Sequence, residues 1–386
     1  MAENDPQEIF AVRRRKLAQG LADHGCDFFL TTRVDHVRWL TGFDSSNAGV
    51  LLGADGSTKI ATDSRYATQV RIQAPGIDVI DSRNTAVGLI GDLIDRSDDP
   101  EATLRIGIEA SALSVATFRQ LEKFIADATG EPDADSTPSV ELVETNNVVE
   151  QIRLVKSEDE LDRLRNVAQL AVDAYESLLA DDMVRPGMTE RQVAAELEYR
   201  MRLRGADGPS FDTIVASGPN SAKPHHSASD RVIEEGDLVT IDFGAWQDGY
   251  ASDKTRTLIA GGKEKGSEFS REIYNVVLRA QLAGIEAATA GTKLFDVDKA
   301  CRDVISEAGY GEYFVHSTGH GIGIEVHEMP AATAKAGDET LEPGMTLTVE
   351  PGIYVPEQGG VRIEDTVIIT ADGAPEVITK ISKELL

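Results

Sequence analysis

His316-Ser-Thr-Gly-His320-Gly-Ile-Gly-Ile-Glu-Val-His327 places three imidazoles within twelve residues and interleaves them with Gly319, Gly321 and Gly323. Glycine has no Cβ, so such a backbone can turn tightly and let another group approach closely. Imidazole is the side chain best suited to hold a metal or pass a proton near neutral pH. Any one of these histidines alone reads most simply as a hydrogen-bonded surface or core residue. Their clustering weighs against that, because the chain has seven histidines and five of them fall in two short segments, this one and His225-His226.

The carboxylates around this stretch sharpen the reading. Upstream lies Asp242-Phe-Gly-Ala-Trp-Gln-Asp-Gly-Tyr-Ala-Ser-Asp253; downstream lie Glu350 in Val-Glu-Pro-Gly and Glu364 in Arg-Ile-Glu-Asp. Each sits in or beside an apolar run that reads as a strand. An ionised carboxylate in such a strand is costly unless it is paired or coordinates a metal, and four converging would repel one another. Two divalent cations relieve both penalties. One imidazole with four carboxylates is a hard, oxygen-dominated set that fits manganese first, with cobalt or zinc as alternatives. Which histidine supplies the imidazole stays open at this level.

Composition narrows the partners. With 386 residues the chain has length for two domains and an ample core. A formal charge of -28 describes an acidic surface that repels nucleic acid and anionic membrane, so neither is expected as a partner. Cys26 and Cys301 lie far apart without metal or redox spacing, which predicts reduced thiols and a cytoplasmic protein. Met1 to Gly20 lacks an apolar core, and nowhere is there an apolar run of about 18 residues, so neither secretion nor a membrane span is expected.

Along the chain, apolar residues from Glu8 to His24 recur at helical spacing. Short apolar runs at Cys26 to Leu30, Val50 to Leu52, Thr58 to Thr62, Arg105 to Ile108 and Val140 to Val143 read as strands. Val87 to Ile94 and Ala112 to Ala126 read as helices, Arg38 to Phe43 as a loop closing the sheet, and Gly130 to Pro138 as a polar loop. This is the pattern of an α/β domain over 1–145, followed by a second domain over 146–386. There, Ser157 with Glu160 and Thr189 with Gln192 resemble helix-capping pairs. Glu268 to Ala290 and Phe295 to Gly309 read as helices. Thr213 to Ala216, Leu238 to Phe243, Thr255 to Ile259, Thr346 to Val349 and Val361 to Ile369 read as strands rich in β-branched residues. Without strict β-α-β alternation, the second domain is expected to be α+β with a curved, largely antiparallel sheet.

Several ordered motifs together resemble the creatinase, aminopeptidase P and prolidase family, the M24-type metallopeptidases. In the amino-terminal part these are Val37-Arg-Trp-Leu-Thr-Gly-Phe43 and Thr62-Asp-Ser-Arg-Tyr66. In the remainder they are Lys156-Ser157-Glu158, Pro209-Ser-Phe-Asp-Thr-Ile-Val-Ala-Ser-Gly218, Pro224-His225, Asp242-Phe-Gly, Gly249-Tyr-Ala-Ser-Asp253, Thr255-Arg-Thr257, Gly319-His-Gly321, Val326-His-Glu328, Glu350-Pro-Gly352 and Gly360-Val-Arg-Ile-Glu-Asp365. A lone Gly-His-Gly would prove nothing; the ordered set is specific. The resemblance implies an amino-terminal creatinase-like domain followed by a catalytic domain of the pita-bread fold.

It also implies roles. The family's two-metal ligands fall on Asp242, Asp253, His320, Glu350 and Glu364, with Asp253 and Glu364 bridging, Asp242 on one metal and His320 with Glu350 on the other. His316 is outside that pattern and is expected to be structural. Glu350 would handle the proton of the attacking water, while His225 and His327 would donate hydrogen bonds to the substrate. His226 is the neighbouring alternative at the first site. Arg362 would orient carboxylates.

The implied reaction is hydrolysis of Xaa-Pro bonds in short proline-containing peptides. Dipeptidases of the archaeal prolidase type carry an arginine four residues after the histidine matching His327, and here that position is Ala331. This departure favours an Xaa-Pro aminopeptidase of the aminopeptidase P type, with Xaa-Pro dipeptidase, or prolidase, as the alternative. A creatinase-like hydrolase or a peptide-binding module without catalysis is a more distant alternative, which five intact ligands disfavour. Relatives place the amino-terminal domain over a neighbour's cleft, so a homodimer with Trp39 in the substrate wall is expected.

Overall fold

The structure, a computed structural model, describes residues 6–130 and 137–386; most of the expected Gly130 to Pro138 loop lies outside the described residues. The chain divides into two compact units, one ending at Arg153 and one spanning Leu154–Leu386.

The first unit contains α1 (Pro6–Gly20), β1 (Phe28–Thr31), α2 (Val34–Thr41), β2 (Ala48–Gly53), β3 (Thr58–Thr62), α3 (Ala67–Gln73), β4 (Asp78–Asp81), α4 (Thr85–Asp95), β5 (Thr103–Glu109), α5 (Val115–Thr129), β6 (Ser139–Thr145) and α6 (Val148–Arg153). Its sheet runs β4-β3-β2-β1-β5-β6. The β1–β2 and β2–β3 pairs are antiparallel, and the outer pairs are parallel. Leu30, Leu51 and Ile106 meet Leu89, Ile90 and Leu121 of α4 and α5 in one core. The expected loop at Arg38 to Phe43 is instead the last turn of α2, ended by Gly42 at φ 76°. Apolar Val37 and Leu40 are buried, so tertiary packing rather than a periodic pattern forms this helix. His36, also buried, neighbours Glu109 and Glu150, but its Nε2 already accepts Arg153 Nη1 at 2.8 Å. A guanidinium therefore closes that cluster.

The second unit opens with α7 (Glu158–Ala180) and α8 (Glu190–Leu203), both carrying capping boxes, Ser157 with Glu160 and Thr189 with Gln192. There follow β7 (Gly208–Pro209), β8 (Ile214–Ser217), β9 (Leu238–Phe243), β10 (Ala245–Gln247), β11 (Tyr250–Ala251), β12 (Lys254–Ile259), α9 (Glu268–Ala287), α10 (Leu294–Glu307), β13 (Gly319–Gly321), β14 (Glu328–Ala332), β15 (Thr346–Val349), β16 (Gly352–Val355), β17 (Gly359–Arg362), β18 (Asp365–Ile368) and β19 (Glu376–Val377). Every strand pair described in this unit is antiparallel, as expected for the α+β pita-bread class. Ile273 and Val277 of α9 and Val297 and Ile305 of α10 pack on Leu347, Val349 and Val367.

Two local features set up the site. The run expected from Val361 to Ile369 breaks between β17 and β18, and in the gap the Glu364 N–H donates to the Thr255 carbonyl at 3.1 Å. The glycines of β13 are demanded by proximity rather than by φ. A Cβ on Gly319 would overlap the Thr348 carbonyl of β15, and one on Gly321 would overlap the Met329 carbonyl of β14. His320 can thus sit between two strands at backbone contact.

This yields a stability test. Gly319→Ala should destabilise the protein by about 1–3 kcal/mol or more, since its clash is with backbone that has little room to move. Gly337→Ala, whose Cβ would meet open space, should stay within about 0.5 kcal/mol of the parent. Denaturant titration of both variants checks the pair.

Candidate metal centre and active site

Four strand ends deliver the acids. Asp242 comes from β9, Asp253 from the residue before β12, Glu350 from the residue after β15 and Glu364 from the β17–β18 gap. The β9–β12 register pairs Asp242 with Thr255, and the Thr255 hydroxyl donates to Glu364 Oε2 at 2.8 Å. His320 enters from β13. Its N–H donates to Thr348 Oγ1 at 3.0 Å, the Glu350 N–H donates to the Thr318 carbonyl at 2.8 Å, and buried Asp298 of α10 accepts from Thr318. His320 Nε2 lies 3.4 Å from Glu350 Oε1 and 3.7 Å from Asp253 Oδ2.

Tautomers follow from the partners. His320 Nδ1 is 3.0 Å from the Gly321 carbonyl, so Nδ1 carries the proton and the Nε2 lone pair faces the acids. Burial pushes His320 down to about 4, so it is a neutral imidazole at neutral pH. Burial pushes His316 down to about 4 as well. Its Nδ1 donates to the Ser317 carbonyl at 2.8 Å, and its Nε2 accepts from Tyr354 Oη at 2.9 Å. Tyr354 Oη in turn accepts from Arg362 Nη1 at 2.8 Å. Arg362, 4 % exposed, also donates to Asp242 Oδ2 at 2.6 Å, to Thr255 Oγ1 at 3.0 Å and to the Pro224 carbonyl at 3.3 Å.

The remaining electrostatics are unbalanced. Burial raises Asp253 and Glu364 well above the usual carboxylate range, and the charges of Glu350 and Asp242 push both further. Burial lifts Glu350 to about 8, against the pull of Arg362 and with Asp242 adding to the rise. Arg362 is the one cation in direct contact with these acids among the described interactions. Two buried carboxylate oxygens, Asp242 Oδ1 and Glu364 Oε1, have no hydrogen-bond partner at all. Asp242, Asp253 and Glu364 bring ligand atoms within 4.8 Å of one another, and so do Asp253, His320 and His327. Unsatisfied oxygens of buried acids are what a divalent cation would satisfy, so these residues fit a metal centre.

These groups line a cavity of about 690 Å³ shared by His225, His226 and His327. His327 stands with its ring 4.3 Å from that of His320, and burial pushes its imidazole down despite Asp242. Buried Lys156 forms a 2.7 Å ion pair with Glu328 and so anchors the residue beside His327. His226 Nε2 is 2.8 Å from Glu190 Oε2 and is thereby occupied; no such bond engages the His225 ring among the described interactions. Trp39 belongs to the first unit. It is 3 % exposed, with the Arg13 guanidinium 4.9 Å from its ring. Sequence reading missed Tyr354 and Glu190. Tyr354 has a faint signal in its position two residues past Glu350-Pro-Gly352; Glu190 reads as an ordinary acid at a helix start.

Comparison with known proteins fits this arrangement. Residues 162–371 match metallopeptidase family M24, and residues 13–155 match the creatinase/prolidase amino-terminal domain. The Xaa-Pro dipeptidase of Pyrococcus furiosus is 42 % identical over 303 residues, covering 74 % of this chain and 85 % of the relative. Among solved structures, an Xaa-Pro dipeptidase from Bacillus anthracis is 39 % identical with a TM-score of 0.86, covering 97 % of this chain and 99 % of its own. An X-Pro aminopeptidase from Thermotoga maritima is 33 % identical with a TM-score of 0.83, covering 96 % and 98 %. No described helix is long and apolar enough to cross a membrane.

The raised carboxylates have a consequence for the metal-free protein. Their folded pKa values exceed the unfolded ones, so in that interval the folded state holds more protons and stability falls as pH rises. His316 and His320 work in the opposite sense, but only between about 4 and their ordinary value near 6.5. Above that, Glu350 near 8 dominates. The melting temperature after chelation should therefore fall between about pH 7 and about pH 9. A divalent cation at a hundred times its Kd should restore about 2.7 kcal/mol. Differential scanning calorimetry across that range checks both; a flat profile would contradict the assigned protonation.

Proposed function

This chain belongs to metallopeptidase family M24, and we propose that it hydrolyses Xaa-Pro dipeptides, using two divalent cations, manganese first, held by Asp242, Asp253, His320, Glu350 and Glu364. The observation that carries the metal centre is the pair of unpartnered buried oxygens, Asp242 Oδ1 and Glu364 Oε1, among acids that a single guanidinium cannot neutralise. The dipeptidase reading takes precedence over the aminopeptidase expected from Ala331, because relatives covering most of the chain at about 40 % identity are Xaa-Pro dipeptidases.

Bound cations would supply Lewis acidity toward the scissile carbonyl and lower the pKa of a water from 15.7 toward roughly 7. The chain's own groups do the rest. Glu350, whose Oε1 faces His320, takes the proton of the attacking water and returns it to the proline nitrogen. An imidazole N–H is a hydrogen-bond donor, so His327 and His225, at the cavity wall, serve as donors to the substrate carbonyl and to the oxyanion that develops from it. Thr255 and Arg362 hold Glu364 and Asp242 in fixed directions while charge is redistributed.

The aminopeptidase reading keeps one specific support. Ala331 lies opposite His320 in the β13–β14 pairing, so strand β14 offers only a methyl group at the position paired with His320. Manganese-loaded enzyme assayed with Ala-Pro and Ala-Pro-Ala decides between them. The kcat/KM for Ala-Pro should exceed that for Ala-Pro-Ala by about tenfold or more. The reverse order returns the aminopeptidase, and no cleavage of either removes the Xaa-Pro reading.

His225→Ala and His327→Ala should each lower kcat by about 10²-fold with metal content unchanged. Elemental analysis alongside kinetics tests this. Loss of one metal equivalent in His327→Ala would make His327 a ligand, an arrangement its closeness to Asp253 and His320 permits.

A further inference from the structure

His225 projects from a segment with no regular structure between the 3-10 turn Gly218–Ala222 and β9, yet a donor acting on a transition state must be placed to a fraction of an ångström. The residues on either side of it are each tied to a buried charged side chain. On one side, the Pro224 carbonyl accepts from Arg362. On the other, His226 bonds Glu190.

Glu190 is the first residue of α8 and is 0 % exposed. Its carboxylate accepts six hydrogen bonds. Oε1 receives the Ser217 N–H and Oγ–H, both at 2.8 Å, and Asn220 Nδ2 at 3.0 Å. Oε2 receives His226 Nε2 at 2.8 Å, the Ser229 N–H at 3.1 Å and Ser229 Oγ at 2.6 Å. A carboxylate only accepts, so His226 must carry its proton on Nε2. Burial alone would disfavour the charge, but the bonds from Ser229, Asn220, His226 and Ser217 hold Glu190 down to about 2. The charge is therefore present throughout the working pH range.

These six donors span both ends of the 218–229 segment. Ser217 ends β8, Asn220 sits in the turn, and His226 and Ser229 lie just past His225. One buried carboxylate thus gathers the base of the loop, and Ser221 Oγ adds a bond from the Gly360 N–H of β17, the strand that carries Arg362. We propose that Glu190 is a positioning residue that sets the His225 imidazole for the reaction, acting through His226 and the loop rather than on substrate. This rests on the reading of His225 as a donor to the reacting carbonyl.

Glu190→Gln is the discriminating change. The amide matches the carboxylate in shape but must turn two hydrogens toward a face already filled by obligate donors, either Ser217 N–H with Asn220 or Ser229 N–H. Misplacement of His225 by about 1 Å can cost up to about 10²-fold in rate. Glu190→Gln should lower kcat by about tenfold to a hundredfold, with KM and metal content little changed.

The decisive readout is the double variant. If Glu190 acts through His225, Glu190→Gln in the His225→Ala background should cost less than about twofold further, because the group being positioned is gone. Ser229→Ala, which removes one donor and keeps the carboxylate, should give a smaller loss with the same non-additivity, and it serves where Glu190→Gln folds poorly. A full multiplicative loss in both double variants, or unchanged kcat in both single variants, overturns the proposal. Full activity of His225→Ala alone would instead overturn the donor role on which it stands.

Discussion

Four carboxylates and one guanidinium share the floor of the second unit, and the charge that remains is what the surrounding structure has to accommodate. Asp242, Asp253, Glu350 and Glu364 stand at or beside the ends of buried β-strands, so water screens them poorly. Burial and mutual repulsion both favour protonation of this cluster, which is visible in the raised Asp253, Glu350 and Glu364. An apolar core would have been more stable without these acids, and their retention makes sense only if cations complete the set. The β9–β12 pairing, the break before β18 and the glycines of β13 all serve to bring these groups within reach of one another.

Arg362 is the fixed point of that arrangement. Its guanidinium donates to Asp242, Thr255, Tyr354 and the Pro224 carbonyl, and so touches an acid, the relay to Glu364, the partner of His316 and the loop of His225. Burial works against its charge, but Tyr354, Asp242 and Glu350 together hold it ionised. A planar fork with five donors in fixed directions can do this where a lysine ammonium could not. Glu190 is the opposite case, a buried anion among donors, and the segment bearing His225 is strung between the two.

Much of this was legible in the sequence because acids in apolar strands and clustered histidines are improbable unless they act together. The capping pairs at Ser157 and Thr189 and the helices of the second unit were equally plain, since caps and periodicity are local signals. Two kinds of feature were not. The α2 helix, eight residues long, has too few turns to show a period, and its burial decides its form. Glu190 matters through partners 27 to 39 residues away and Tyr354 through His316, 38 residues away, and beyond the position of Tyr354 after Glu350-Pro-Gly352 nothing local announces such contacts. The β12 strand hid its character as well: Lys254 and Arg256 point inward, to the Ala168 carbonyl and to Asp365, although charged residues in a strand normally mark a solvent face.

His316 and His320 show how little separates a structural histidine from one fit to hold a metal. Both are buried, both are pushed down to about 4, and both donate Nδ1–H to the carbonyl of the following residue. Their spacing of four invites the assumption that they work as a pair. What differs is the group facing Nε2. For His316 it is the Tyr354 hydroxyl, already polarised by Arg362, which uses the lone pair and ends the chain of donors. For His320 it is Asp253 and Glu350, whose oxygens stand at 3.7 and 3.4 Å and leave the lone pair directed at the centre of the acids. An imidazole in that state, next to carboxylate oxygens with no partner, could take a metal without rearrangement of its own hydrogen bonds.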